Sequence, residues 1–135
     1  MPTLDFMVLC DYVRSDAGII HMIAAGIDRF RPPSVPYVHN VGVAVRIGLT
    51  REECAEPHQV DVMVKAPDAE KLIHIRGELR VEDPEGLTPD SPVFVALTPN
   101  FALPLQTYGL HTLELYIDNH HEKTVRFMVE TPSEA

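Results

Sequence analysis

Several residue types that mark enzyme families are scarce or scattered in this 135-residue chain. Tryptophan is absent, cysteine occurs twice, and the seven glycines stand apart from one another. The sequence has no Gly-x-Ser-x-Gly elbow, glycine-rich phosphate loop, Cys-x-x-Cys or His-x-His spacing. These absences argue against a serine hydrolase, a nucleotide-binding enzyme and a histidine zinc site.

Basic residues are also few, since 11 lysines and arginines face 20 aspartates and glutamates, for a formal net charge of -9. This charge repels phosphate backbones and anionic lipid headgroups, so nucleic acid and bare membrane are not expected partners. No apolar run approaches the roughly twenty residues of a transmembrane helix. Residues 1–5 include no basic residue, which argues against a signal peptide and predicts a cytoplasmic protein.

The length predicts one domain over residues 1–135, with 131–135 as a loose C-terminal tail. A chain of this size buries enough surface for a core without a disulfide or a structural metal. Cys10 lies among apolar residues, whereas Cys54 lies among charged ones. We therefore expect two free thiols, the first buried and the second exposed.

Apolar residues recur at every second position in several short runs, which is the period of a half-buried strand. The two runs nearest the C-terminus, 113–118 and 125–130, predict a hairpin closed by the polar loop 119–122. Six further runs precede them, at 4–13, 19–30, 41–49, 60–65, 72–81 and 92–103. The sequence therefore predicts about eight strands.

Helices find little support, because twelve prolines interrupt the chain throughout. The one candidate is a short helical turn at 50–55, where Thr50 and Glu53 have the spacing of a capping box. Short antiparallel strands about ten residues apart favour two packed sheets over a closed barrel. The predicted fold is an all-β, antiparallel two-sheet β-sandwich.

The chain resembles a family of small bacterial β-sandwich proteins known only as a domain of unknown function. The residues that carry the resemblance are Leu9-Cys10-Asp11-Tyr12-Val13, Gly18, Gly26, the turn from Pro33 to Pro36 and the closing hairpin. The resemblance implies a sandwich fold in a bacterial cytoplasm. It implies no activity, cofactor or catalytic residue.

Counting the loops between alternating strands assigns them to two ends of the sandwich with different chemistry. One end collects most of the loop carboxylates. A calcium ion takes about six to eight oxygen ligands, so converging acidic loops could bind it, with Asp83, Glu85 and Asp118 as candidate ligands. The alternative is that these carboxylates only keep the domain solvated.

The opposite end is rich in proline and carries two tyrosines, Tyr37 in the loop 31–37 and Tyr108 in the loop 104–109. Tyrosines on stiff loops offer rigid amphipathic surface, so both are candidate contacts for a partner protein. The alternative is that the prolines only stiffen turns and each tyrosine covers an edge of the core.

In the absence of a catalytic motif, the leading hypothesis is a non-catalytic binding or assembly module that acts through protein–protein contacts. The run Val93 to Leu97 is apolar on both sides, which predicts a homodimer through an edge strand. The second hypothesis is a calcium-dependent binding module, and apart from calcium no cofactor is expected. The third is a carboxylate-based hydrolase, against which the missing tryptophan argues.

Overall fold

The computed structural model describes residues 2–81 and 92–132. They form eleven strands and one 3-10 turn, at Glu53–Ala55. The strands are β1 Thr3–Cys10, β2 Tyr12–Asp16, β3 Ile19–Ile23, β4 Arg29–Phe30, β5 Tyr37–Leu49, β6 His58–Lys65, β7 Lys71–Leu79, β8 Val93–Leu97, β9 Asn100–Leu105, β10 Gly109–Ile117 and β11 His120–Val129. Within these residues, no helix has the length and apolar character needed to cross a membrane.

The first sheet is built around the long strand β5. This strand pairs with β1 along one edge and with β8 and then β9 along the other. Val43, Val45 and Ile47 alternate along β5 with residues on the outer face, and all three are fully buried. The alternation of side chains along β5 therefore sets which face meets the core.

The second sheet has the strand order β4-β11-β10-β6-β7. Its pairings are antiparallel except at one edge, where the two-residue β4 runs parallel to the end of β11. Inward residues of this sheet, such as Val62 and Leu115, join those of the first sheet in one hydrophobic core. The predicted all-β sandwich is therefore confirmed, although β4 departs from the predicted antiparallel pairing.

The structure has more strands than the predicted eight because three of the predicted runs each break in two. The run 4–13 breaks at Asp11, the run 19–30 breaks between residues 24 and 28, and the run 92–103 breaks at residues 98–99. Ala24 and Gly26 have positive φ, which is incompatible with a continuous strand. Interruptions of so few residues leave the apolar pattern almost unchanged, so periodicity did not reveal them.

β2 and β3 form a separate two-stranded sheet, which we call the arm. Its turn residues Ala17 and Gly18 both have positive φ, as a two-residue type I′ hairpin turn requires. One face of the arm packs on the outer side of β5, where Val13 lies against Gly42. A Cβ atom at position 42 would lie 2.9 Å from Val13 Cγ1 and 2.6 Å from Asn100 Oδ1, so only glycine fits there.

The side-chain amide of Asn100 fastens the arm to the first sheet. Its Nδ2 donates to the Val13 carbonyl at 2.7 Å, and its Oδ1 accepts from the Val13 N–H at 3.1 Å. These two bonds satisfy a donor and an acceptor that a neighbouring strand would otherwise pair. The Asn100 side chain thus satisfies backbone groups of the arm that a neighbouring strand would pair inside a sheet.

The 3-10 turn confirms the predicted capping box. The Thr50 N–H donates to Glu53 Oε1 at 2.8 Å, and the Glu53 N–H donates to Thr50 Oγ1 at 3.3 Å. The turn directs Cys54 into the core, so the expectation of an exposed Cys54 is wrong. Both cysteines are free and buried, and burial raises the pKa of each thiol, helped by Asp11 beside Cys10 and by Glu53 beside Cys54.

The closing hairpin is confirmed, but its turn is shorter than the predicted loop 119–122. Asp118 and Asn119 form a two-residue turn with positive φ at both positions. His120 and His121 already belong to β11 and pair with the end of β10. Polar side chains on the solvent face of a strand resemble a loop in sequence, which explains the difference.

Candidate binding cleft at the Tyr37 end

A cleft of about 380 Å³ lies between the residues that flank the arm, β4 and the start of β5. Its apolar lining comes from buried or half-buried side chains, including Phe30, Leu105 and Ile27. Pro32 and Pro33 form a stiff wall, because the proline ring fixes the backbone. The cleft is therefore a depression with a mixed apolar and polar lining, and its walls belong to several elements distant in sequence.

Ring contacts fix the aromatic side of the cleft. His39 meets Phe30 edge to face with ring centroids 4.8 Å apart, and Tyr37 is 6.5 Å from the same imidazole. Phe30 also meets Phe127 of β11 edge to face at 5.5 Å, so the cluster is tied to the core. Tyr37 keeps 38% of its surface exposed and lies at the rim. These ring contacts fix the arrangement of the rim side chains.

Ion pairs fix the polar side of the cleft. Arg29 Nη1 donates to Glu130 Oε1 at 3.2 Å, and Arg31 Nε donates to Glu130 Oε2 at 2.8 Å. His39 Nε2 and Asp11 Oδ1 lie 3.3 Å apart. Arg29 Nε also donates to Asp28 Oδ1 at 3.4 Å, so the two arginines face two carboxylates and their charges largely cancel. This charge balance favours an apolar ligand group over a free anion.

The two predicted contact tyrosines have different positions. Tyr37 lines the cleft, whereas Tyr108 is not among its lining residues. Both tyrosines lie near the same end of the sandwich, since Tyr37 pairs in register with Leu105, and Tyr108 follows β9 by a few residues. Tyr108 is as exposed as Tyr37, at 38%. The structure therefore associates a cavity with one of the two predicted residues.

The predicted calcium ligands are only partly described. Asp83 and Glu85 lie outside the described residues. Asp118 engages protein donors, because the His58 ring donates from Nδ1 to Oδ2 at 2.6 Å and the Gln59 N–H donates to Oδ1 at 2.9 Å. Among residues 2–81 and 92–132, no three His, Cys, Asp or Glu side chains are placed to hold a metal ion. Calcium binding stays a prediction, which a calcium-specific rise in the unfolding midpoint would test.

A buried carboxylate on the outer face of the second sheet was not predicted. Asp61 Oδ1 accepts from His74 Nε2 at 2.8 Å and from Arg76 Nε at 2.9 Å, and Oδ2 accepts from Gln59 Nε2 at 2.8 Å. Burial alone would raise the pKa of Asp61, but these hydrogen bonds outweigh it and lower the pKa to about 2. With its donors on two neighbouring strands, this network stabilises the sheet.

Several residues of the cleft were not predicted from the sequence. The spacing of Tyr37 and His39 is the one sequence signal that could have identified a further rim residue. Tyr37 and His39 are two residues apart on a strand, so their side chains share a face. That spacing marks both as rim residues once β5 is known to begin at Tyr37. Phe30 and Asp11 come from remote positions, and no local pattern links them to the cleft.

Comparison with known proteins adds a family and no function. A search of curated proteins finds no match to this chain. The model of DUF6941, a family of unknown function, matches residues 5–130, which is almost the whole chain. This agrees with the resemblance to a β-sandwich domain of unknown function that the sequence suggested. The chain belongs to the DUF6941 family.

Proposed function

We propose that this protein is a non-catalytic binding module and that the cleft beside Tyr37 takes an apolar side chain of a partner protein. The observation that carries the proposal is the preformed, partly apolar cleft with a rim of Tyr37, His39 and paired arginines. Tyrosine and arginine around a pocket are typical of the residues that dominate protein–protein binding energy. A bacterial cytoplasm is part of the same proposal and rests on the family resemblance in sequence.

The cleft chemistry supports binding rather than catalysis. His39 beside Asp11 is the only arrangement in the cleft that resembles a general base. Of the described residues that line the cleft, none is a serine, threonine, cysteine or lysine that such a base could activate. The paired arginines are held by Glu130 and do not form an open anion site. A binding role is what these groups support best.

An NMR titration of the ¹⁵N-labelled protein tests the cleft with a defined probe. N-acetylphenylalaninamide imitates an aromatic anchor, and N-acetylglutamate amide is the matched acidic probe. We expect saturable shifts of the Ile27, Tyr37 and His39 amides with the aromatic probe, at a dissociation constant of about 1–10 mM for so small a ligand. The acidic probe should give weaker shifts because the arginines are already paired.

Tyr37→Ala and Tyr108→Ala form a matched pair of variants, since both tyrosines have the same exposure and only Tyr37 lines the cleft. We expect Tyr37→Ala to weaken probe binding at least about fivefold, or by about 1 kcal/mol, and Tyr108→Ala to leave it unchanged. Equal effects of the two variants, or no saturable shift with wild type, would overturn the cleft as the binding site.

Self-association through an edge strand is the second part of the proposal. β8, the predicted strand, lies at the edge of the first sheet among the described residues. Its Val93, Val95 and Leu97 pack against the core, and Phe94 remains exposed beneath the Arg46 guanidinium, which lies 3.7 Å from the ring centroid. Light scattering across a concentration series tests the dimer. A mass that stays at 15.1 kDa throughout would contradict it.

A further inference from the structure

β3 is the edge strand with the least protection in the described part of the chain. Its sequence, Ile-Ile-His-Met-Ile, contains no proline and no Asp, Glu, Lys or Arg. Ile19 and Ile23 are 63% and 62% exposed, more than any other large hydrophobic residue of the described chain. Natural proteins usually protect an edge strand with charge, proline or a bulge, because its free backbone groups can pair with another chain.

The register of the arm determines which backbone N–H and C=O groups of β3 do not bond to β2. The two-residue turn makes Asp16 and Ile19 the closing hydrogen-bonded pair of the arm, and such pairs alternate along an antiparallel ladder. Ile19, His21 and Ile23 therefore bond toward β2. Ile20 and Met22 direct their N–H and C=O groups away from it, toward an edge where no strand pairs among the described residues.

We propose that β3 pairs with β3 of a second copy of this chain, antiparallel and about a two-fold axis at His21. In this register Ile20 lies opposite Met22 of the second copy, and Met22 lies opposite Ile20. Both members of each pair have outward backbone groups, so the two pairs exchange two hydrogen bonds each. The two arms then form one continuous four-stranded sheet. The inference places the assembly contact at β3 instead of β8 and is independent of the cleft.

The side chains support the same register. Ile19 lies opposite Ile23 of the second copy on both sides of the axis, in pairs without backbone hydrogen bonds, where facing side chains are closest. The two most exposed isoleucines thus cover each other. The strand has the same apolar pattern in both directions, with His21 at its centre. A self-complementary strand of this kind fits a second copy better than an unrelated partner.

The contact between the two β3 strands is small, so we expect weak binding. Five residues at about 3.3 Å each give a pairing about 16 Å long, well short of the roughly 800 Å² per partner of a standard interface. We therefore expect a reversible dimer with a dissociation constant of about 10–500 μM. Sedimentation equilibrium from about 1 μM to about 1 mM covers this range.

Charge exchange across the axis tests the register. Ile19→Lys and Ile23→Glu each place a charge against an isoleucine of the second copy, and each should weaken the dimer at least about tenfold. In the double variant the introduced lysine faces the introduced glutamate twice, so dimerisation should recover. Ile19→Lys also lies opposite Asp16 within its own arm, which keeps the monomer folded. Thermal unfolding of each variant verifies this.

Two further variants distinguish a wrong contact strand from the absence of a dimer. Leu110→Lys charges an exposed leucine on the second sheet and should leave the dimer unchanged. Ala96→Glu charges β8, the other candidate for the dimer contact, and leaves the dimer unchanged if β3 forms that contact. A dimer broken by Ala96→Glu but not by Ile19→Lys would overturn β3 as the contact, as would a double variant without recovery. A wild-type monomer at every concentration would overturn self-association altogether and leave the cleft proposal standing.

Discussion

β7 and β3 are both edge strands, yet they present opposite chemistry to solvent. The exposed positions of β7 are Lys71, His74, Arg76 and Glu78. Those of β3 are isoleucine, histidine and methionine. Charged side chains along an edge prevent pairing with another chain, because pairing would desolvate them. β7 therefore has the charge that protects an edge strand, whereas β3 has none.

The difference extends to how each strand is held. Asp61 of β6 accepts hydrogen bonds from His74 and Arg76 and so joins β7 to its neighbour through side chains as well as backbone. The arm joins the sandwich through a small apolar contact at Val13 and the two bonds from Asn100. Polar side chains thus stabilise the β7 edge of the molecule, whereas the free edge of β3 has no comparable network among the described residues.

Removing the charge of Asp61 should have the largest effect on the β7 side of this comparison. The pKa of Asp61 is about 2 in the folded protein, against about 3.9 for an unfolded aspartate. The stabilisation is therefore present above pH 4 and is lost as the pH falls toward 2. We expect Asp61→Asn to lower the free energy of unfolding by about 2 kcal/mol at pH 7 and by almost nothing near pH 2.

Urea unfolding at pH 7 and near pH 2 measures this effect. Glu56→Gln is the matched control, since it removes one charge at an exposed position and should change little. An equal loss of stability at both pH values would show that Asp61 contributes through packing alone. The arm should be unaffected by Asp61→Asn, so hydrogen exchange at Val13 should stay as in wild type.

Asn100→Ala tests the attachment of the arm. The substitution leaves the Val13 N–H and carbonyl without their side-chain partner, so we expect arm amides to exchange about tenfold faster, equivalent to about 1.4 kcal/mol of local stability. Core amides of β10 should not change. Asn40→Ala is the control, because Asn40 is exposed on the same sheet. Unchanged exchange in the arm would contradict the role of Asn100.

Sequence patterns predicted the elements but not the way they divide and meet. Alternation in β6, β10 and β11 identified real strands, because each buries one face against the core. The Thr50 and Glu53 spacing identified the 3-10 turn, because a capping box is a local interaction. The break at Asp11 was missed because residues on both sides of it are apolar, and this break separates the arm from β1.

The candidate site was only partly predictable for the same physical reason. Tyr37 was found from its proline-rich surroundings, which are local in sequence. Its cleft depends on Asp11, Phe30 and Leu105, which only the sheet register brings together. The apolar run at β8 suggested a dimer strand, yet three of its side chains pack on the core. The unprotected strand β3 was hidden inside the longer predicted run 19–30.

Asp118→Asn should have the smallest of these effects, and its sign depends on pH. Burial opposes a charge on His58, but hydrogen bonds to the Asp118 carboxylate and the Glu53 carbonyl outweigh it and raise the pKa of His58. A raised histidine pKa stabilises the folded state below the ordinary value of about 6.5, and this stabilisation is lost as the pH rises through the folded value. Asparagine tolerates the positive φ of position 118, so the turn itself is preserved.

We expect Asp118→Asn to lower the free energy of unfolding by about 0.5–1 kcal/mol at pH 6, a discounted value because Asp118 is partly exposed. The difference from wild type should shrink as the pH rises through the raised pKa of His58 and the ring loses its charge. Urea unfolding from pH 6 to pH 9 measures this difference, again with Glu56→Gln as the control. A difference that stays constant with pH would mean that the charge of His58 contributes nothing, and that Asp118 acts only through its bond to the Gln59 N–H.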